Sequence, residues 1–361
     1  MRNTLFILFI IAFIVSGCAK ESETGQLREK VVHITASLAD YSAVTKAFQP
    51  GSTSFNNGDG YGIFVCKEGT SDVAHKSNSW NLAAKYYYDS DSDTWNWGYH
   101  YVGDITTGAL NMTRFDNIAL TERNDHAKAD LYAYAPYRIE SYSYSPDRIP
   151  FNVYTNVSFG EYRYMDLMYA QENLDPELNK GLDPASPSDL SAHFTLKHAF
   201  CLLAFRFRVA NTPTTYRLDR INISLNDPDG DGETTAKLYT AGTFNAMTGT
   251  FNSGGTQVNS ILYTNFWNDT ITSTSPVTYY ELIVPTQVED DEMVFTFTID
   301  GLNLHSYSLK KSDLLHSDGV TYGFQSGHKY TFNFVLDNYI YFDGFTISDG
   351  WTSADLGNEE I

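Results

Sequence analysis

The chain has 361 residues, 42% hydrophobic and 15% aromatic, with a formal net charge of −20. That apolar content can build real cores and excludes a disordered chain, while 44 acidic against 24 basic residues exclude nucleic acid as a partner, since phosphate binding needs clustered Lys and Arg. The length suggests two domains, and 26 Tyr and 23 Phe without long Ala/Leu/Glu/Lys-rich runs predict β-structure.

The chain opens with Arg2, an apolar run over Leu5–Val15, and Ser16-Gly17-Cys18. The run is too short to span a bilayer and reads as a signal-peptide core over residues 1–17. Small residues directly before Cys18 resemble the bacterial lipoprotein signal, in which that cysteine is lipidated; the alternative is an ordinary secretory signal with an incidental cysteine. Two or more acyl chains on Cys18 would anchor the protein durably. Loss of residues 1–17 removes Arg2 alone and leaves a net charge of −21. Residues 18–30 are polar and charged without periodicity, and read as a flexible tether.

Next comes Lys30–Phe48, KVVHITASLADYSAVTKAF. Val32, Ile34, Ala36 and Leu38 alternate with Val31, His33, Thr35 and Ser37, the period of a half-buried strand over 31–38. Lys46-Ala47 follows in a small, polar setting, and Pro50-Gly51 reads as loop. One peptide-bond cut between Lys46 and Ala47 would detach the strand from everything after it.

Further strands are expected at Tyr61–Cys66, Lys85–Asp89, Trp95–Val102, Asp130–Ala135 and Tyr164–Ala170. Gln171–Leu190 holds three prolines and reads as the link between domains 31–190 and 191–361. Beyond it, Ser191–Val209 is a strand pair or one bent strand. Tyr216–Leu225, Val277–Val284, Met293–Ile299, Leu302–Leu309 and Lys329–Leu336 are strands. The repeated steps Gly242-Thr243-Phe244-Asn245 and Gly249-Thr250-Phe251-Asn252 suggest a hairpin, and Asp300-Gly301 signals another. In the tail, Tyr339, Tyr341, Phe345 and Ile347 are expected on one face, with Ile340 and Phe342 on the other. The fold class that follows is all-β, two consecutive sandwiches.

Signs of chemistry are sparse. Asp227, Asp229 and Asp231 before Gly232 match the opening of a calcium loop, but position 12 is Leu238 rather than a bidentate Glu, so an acidic turn is expected and no metal. His193 and His198 are placed to face opposite sides of one strand and cannot share an ion. Neither a nucleophile elbow, nor HExxH, nor a phosphate loop is present, so no enzyme activity and no cofactor are expected. Cys66 and Cys201 lie in apolar runs and read as buried thiols. Tyr86-Tyr87-Tyr88 with Trp95 and Trp97 could stack on a sugar, but strand packing explains them as well.

Several runs together resemble a family. They are the Cys18 signal, DLYAYAPY (Asp130–Tyr137), DLMYA (Asp166–Ala170), HFTLKHAFCLLAFRF (His193–Phe207), LIVPTQ (Leu282–Gln287), SGHKYTFNF (Ser326–Phe334) and FTISDGW (Phe345–Trp351). Their number and order, from Cys18 to the end, are similar to the Bacteroidales fimbrillins, in particular the minor-fimbrium-like branch. The acidic start of the tether, Lys20-Glu21 and Glu23, resembles the export signal of Bacteroidetes surface lipoproteins.

The resemblance implies two tandem transthyretin-like β-sandwich domains in a lipoprotein precursor held at the outer membrane by its lipid anchor. It implies that a trypsin-like processing protease cuts behind the first strand, here at Lys46–Ala47. Family members often have Arg at that position, whereas this chain has Lys46. The open groove then accepts a strand from another fimbrial subunit. Read from the residues, the tail 338–361 is either that donor or, over Phe345–Trp351, the last strand within its own domain. The expected role is a structural or accessory subunit of a cell-surface fimbria, supporting adhesion to a glycan or protein ligand of a host or bacterium. The alternative is a monomeric surface lipoprotein that binds glycans.

Overall fold

The computed structural model describes residues 29–38, 60–72, 82–89, 94–100, 119–121, 128–137, 145–153, 165–170, 179–183, 185–210, 215–264, 270–337 and 339–349. In chain order its strands begin with β1 (Glu29–Leu38), β2 (Gly60–Lys67), β3 (Leu82–Asp89), β4 (Thr94–His100), β5 (Ala119–Thr121), β6 (Ala129–Ala135) and β7 (Ile149–Asn152). There follow β8 (Met168–Ala170), β9 (Leu190–His198), β10 (Cys201–Val209), β11 (Tyr216–Leu225), β12 (Leu238–Asn245), β13 (Thr250–Phe251) and β14 (Thr256–Val258). The last are β15 (Ser260–Tyr263), β16 (Thr270–Ile271), β17 (Val277–Ile283), β18 (Met293–Ile299), β19 (Leu302–Ser308), β20 (His328–Leu336) and β21 (Ile340–Asp349). Between β19 and β20 lies a 3₁₀ turn at Lys311–Leu314. The chain is all-β, as its composition predicts.

The first sheet has the order β4-β3-β2-β6-β8-β9-β1-β5. At its centre both faces are buried. Tyr61, Ile63 and Val65 of β2 and Leu131 and Ala133 of β6 enter one core, while Phe64, Cys66, Tyr132 and Tyr134 enter another. This is why YGIFVC reads as an unbroken apolar run rather than an alternation.

The second sheet, β17-β10-β20-β21, and the third, β15-β11-β18-β19 with β16 on β11, form a sandwich. Phe205 and Phe207 of β10 stack on Phe332 and Phe334 of β20 at 5.7 and 5.4 Å. The same two rings meet Phe295 and Phe297 of the facing β18 edge-on, each at 5.1 Å. Offset and edge contacts of this kind add to the area the rings bury. The Asp300-Gly301 turn joins β18 to β19 with both residues at positive φ, 49° and 76°, the geometry a two-residue hairpin needs.

A fourth, small sheet joins the two halves of the chain. β12 pairs with β13 and β14, and also with β7 from the first half. The repeated Gly-Thr-Phe-Asn steps are explained here. Phe244 and Phe251 pair across the hairpin and pack into the core shared with Phe64 and Phe200. Gly249 sits under the Tyr169 ring, where an added Cβ would lie 2.8 Å from a ring carbon, and its φ is +72°. Gly249→Ala should therefore destabilise the protein by about 2–4 kcal/mol, from overpacking and left-handed strain together. A chemical denaturation midpoint checks it.

Three expectations are corrected. Of the two readings of Ser191–Val209, one bent strand is excluded and two strands are found, in different sheets: β9 belongs to the first and β10 to the second, and the chain crosses at Ala199-Phe200. The crossing is pinned by bonds from the Ala199 N–H to the Leu167 carbonyl (2.7 Å), from Ser326 Oγ to the Ala199 carbonyl (2.8 Å) and from the Gly327 N–H to the Phe200 carbonyl (2.7 Å). The strand expected over Tyr164–Ala170 is only Met168–Ala170, because Asp166 turns to His198 and Leu167 to Ala199. In β21 the faces differ from the expected alternation. Ile340, Phe342, Phe345 and Ile347 all pack on the sandwich core, and Tyr339 and Tyr341 are exposed. The register between β20 and β21 shifts at Asn333/Phe334, opposite Gly344, and the extra residue inverts the phase of everything after it.

Candidate functional site

The site is the cleft that β1 fills beside β9. Val32–Leu38 runs parallel to Leu190–Leu196 in continuous register, and Glu29–Val31 pairs antiparallel with Thr121–Ala119 of β5. Among the described residues, β9 is the partner of Val32–Leu38 and its other edge is open. Withdrawing β1 would leave the run from β4 to β9 whole and release only the short β5. Val32 is 2% exposed and Ala36 packs on the same core, as the alternation predicts. Leu190, Ala192, Phe194 and Leu196 of β9 are buried in that core, and Tyr61 meets Phe194 edge-on at 6.2 Å.

The far side of β9 is built to stay in place. β8 covers only Leu196–His198. Beyond it, Asn179 bridges the gap between β6 and β9. Its side chain donates to the His193 carbonyl (2.6 Å) and accepts from the His193 N–H (2.9 Å), while its own carbonyl accepts from the Leu131 N–H (2.8 Å). An amide side chain thus replaces one rung of a missing strand. Next to it the buried Asp130 carboxylate accepts from the N–H groups of Gly69 (2.7 Å) and Gly181 (2.8 Å), and Lys180 Nζ donates to the Tyr132 hydroxyl (2.7 Å). The segment read as an interdomain link is therefore hydrogen-bonded into the first sheet over Asn179–Leu182. Asn179→Ala removes both bonds to the half-buried His193 backbone and should cost about 1–3 kcal/mol. Amide exchange at His193 should accelerate in that variant, with little change in β20.

Elsewhere the predicted groups fall as follows. His193 is half-buried on the outer side of β9, and His198 is buried at its end with Nδ1 2.9 Å from the Asp166 carboxylate. Asp227, Asp229 and Asp231 do converge on one exposed loop. Both Asp227 oxygens, however, accept backbone N–H groups, from Gly230 and Gly232 at 2.8 Å each. The Gly232 N–H holds the Asp227 carboxyl below the usual carboxylate range, and a hydrogen bond shared with Asp227 raises Asp229. These are the bonds of an acidic turn.

Cys66 and Cys201 are free and buried. Burial pushes the Cys66 thiol up to about 12, helped by the nearby Asp130 charge, and pushes Cys201 well up too. Neither is a nucleophile at neutral pH. Tyr86 and Tyr88 lie opposite Trp97 and Trp95 across the β3–β4 hairpin, and Tyr87 lies opposite Asn96. Cys18, Lys46 and Ala47 are outside the described residues. Among the described residues no helix is long and apolar enough to cross a membrane.

Asn179 and Asp130 were not singled out by sequence. Both are small polar residues whose role depends on a distant partner strand. The only local hint for Asn179 is Gly181 just after it.

Comparison with known proteins adds a family. The profile of the family described as fimbrillin-like matches residues 45–351, so β1 lies ahead of the matched portion. No curated protein matches the sequence. Among solved structures, a putative cell adhesion protein from Bacteroides uniformis is similar with a TM-score of 0.51 at 16% identity, covering 89% of this chain and 98% of that one. Another from Bacteroides ovatus is similar with a TM-score of 0.50 at 14% identity, covering 90% and 99%. At such identities the likeness is one of fold.

Proposed function

This chain belongs to the fimbrillin-like family, and from that premise we propose that it is a non-enzymatic subunit of a cell-surface fimbria, assembled by proteolysis-triggered strand exchange and supporting adhesion. The observation that carries this reading is the placement of β1. It is paired along Val32–Leu38 with β9 alone among the described strands, it lies ahead of the matched family region, and Lys46 follows it within a stretch rich in small polar residues.

In this reading Cys18 carries the lipid that holds the precursor at the outer membrane, through the tether 18–30. A trypsin-like protease cuts at Lys46–Ala47, and β1 leaves with the anchor. Residues 31–190 and 191–361 are the two units of the subunit, with β9 reaching across to complete the first sheet. The vacated edge of β9 then takes a strand from another subunit. That strand must run parallel to β9, as β1 does, and place an apolar side chain where Val32 sits. Its main-chain bonds supply affinity and its alternating side chains supply specificity.

The experiment is competition. A synthetic peptide of Glu29–Leu38 added to cut protein should occupy the cleft and suppress oligomer growth in proportion to its concentration. A peptide with Val32→Asp and Ala36→Asp should not. Equal suppression by both peptides, or by neither, argues against the β9 cleft as the joint.

A further inference from the structure

The outer face of the second sheet carries a cavity of about 620 Å³. Its floor follows from strand register. Tyr280, Ala204 and Thr331 lie in one row across β17, β10 and β20, with Thr278 and Arg206 in the next row. Ala204 is the smallest side chain of its row and is 1% exposed, so the row dips at its middle. Tyr280 packs on the core beneath the fourth sheet and lines one side. The 274–276 turn before β17 lines another, steadied by the Ser275 N–H donating to Thr272 Oγ1 at 2.9 Å.

The chemistry of this cavity departs from that of the chain. Acidic residues outnumber basic ones 44 to 24 overall, yet the lining holds Arg206 and Lys329 and no carboxylate. Arg208, next outward on β10, is bonded to Asp343 at 2.8 Å. Arg206, exposed on the same strand, has no such partner among the described residues and lines the cavity. Around it the lining is mostly hydroxyl-bearing, Thr278 and Thr331 among them, with the Tyr280 ring as the aromatic component.

We infer that this cavity binds a sugar bearing a carboxylate. The volume lies within the roughly 300–1,000 Å³ of small-ligand sites, enough for one or two sugar rings. Hydroxyl lining exchanges hydrogen bonds with a polyol. The flat guanidinium of Arg206 matches a carboxylate through two parallel N–H bonds, which a neutral sugar cannot use. An acidic peptide fits less well. An extended chain pairs with a sheet edge, and this cavity is on a sheet face, closed on one side by a turn. The inference goes beyond the proposed assembly and does not depend on whether β1 leaves the first sheet.

The test is titration of the full chain, followed by ligand-observed NMR and calorimetry. The probes are N-acetylneuraminic acid and glucuronic acid, against N-acetylglucosamine and an acidic tripeptide. The acidic sugars should bind saturably and the other two should not. Arg206→Ala should weaken binding about tenfold or more, the loss expected for a charge-assisted pair, with an unchanged melting temperature. Arg206→Lys should retain part of the affinity. Ala204→Leu should fill the floor and block binding; if it misfolds, the two Arg206 variants still decide. No binding of either acidic sugar, equal binding of the neutral sugar, equal binding of the tripeptide, or unchanged affinity in Arg206→Ala would each overturn the inference.

Discussion

Cutting between Lys46 and Ala47 is expected to turn a stable monomer into a polymer, while Lys46→Ala stays monomeric under the same treatment. Before the cut, β1 is tied to the rest of the chain and its local concentration at β9 is very high. After the cut it is a short peptide held only by its own contacts. Those contacts are the ladder from Val32–Leu190 to Leu38–Leu196 and the short pairing of Glu29–Val31 with β5, at about 1 kcal/mol net per bond, and the buried Val32, at about 1.5–3 kcal/mol. A donor strand from another subunit regains the same terms. It also relieves β9 of unpaired N–H and carbonyl groups. A donor segment distinct from the β9 cleft makes a contact that does not close, and a filament grows. Limited trypsin digestion followed by size-exclusion chromatography and SDS gels reads the result. A clean cut with β1 still bound and no oligomer at high protein concentration would favour the monomeric glycan-binding lipoprotein.

Deleting Phe345–Ile361 is expected to unfold the sandwich of the second and third sheets. A donor tail would leave a folded monomer on deletion, whereas a last intradomain strand would not. In the structure, β21 is in register with β20 from His328–Asp349 to Leu336–Ile340. Phe345 lies 4.9 Å from Phe332 and stacks on Tyr330 at 6.2 Å, and Ile347 packs on the same core. Loss of that half-buried ring alone costs about 2–4 kcal/mol, and the deletion also strips half of the β20 ladder. Together these rival the whole stability of a domain, about 5–15 kcal/mol. Phe345→Ala is the milder probe, with an expected loss of about 2–4 kcal/mol for a half-buried ring. A truncated chain that melts cooperatively near the temperature of the intact one would contradict the account of β21.

The elements legible in the sequence are those whose signal is local. Met293–Ile299 and Lys329–Leu336 alternate cleanly because one face of each meets the sandwich core. Asp300-Gly301 fixes its own turn. The β1 alternation identified the face that Val32 and Ala36 present, although its partner β9 lies far along the chain. What escaped reading depends on distant partners. The break at Ala199-Phe200 is invisible because both flanking strands are apolar and only their sheets differ. The bulge at Gly344 adds one residue and reverses a face assignment that strict alternation had made. Asn179 stands in a Pro-rich stretch that resembles a linker, yet it spans a gap between two strands. Arg206 and Lys329 are ordinary strand residues until parallel pairing of β10 with β20 brings them to one cavity.

The central claim is that β1 is absent from the assembled subunit. The most direct measurement is N-terminal sequencing of the chain in filaments sheared from the surface of producing cells, beside the membrane-bound precursor. The account predicts a filament chain that begins at Ala47 and a precursor that begins at an acylated, blocked Cys18. Filament chains that still begin at Cys18, with Val32–Leu38 present, would contradict it.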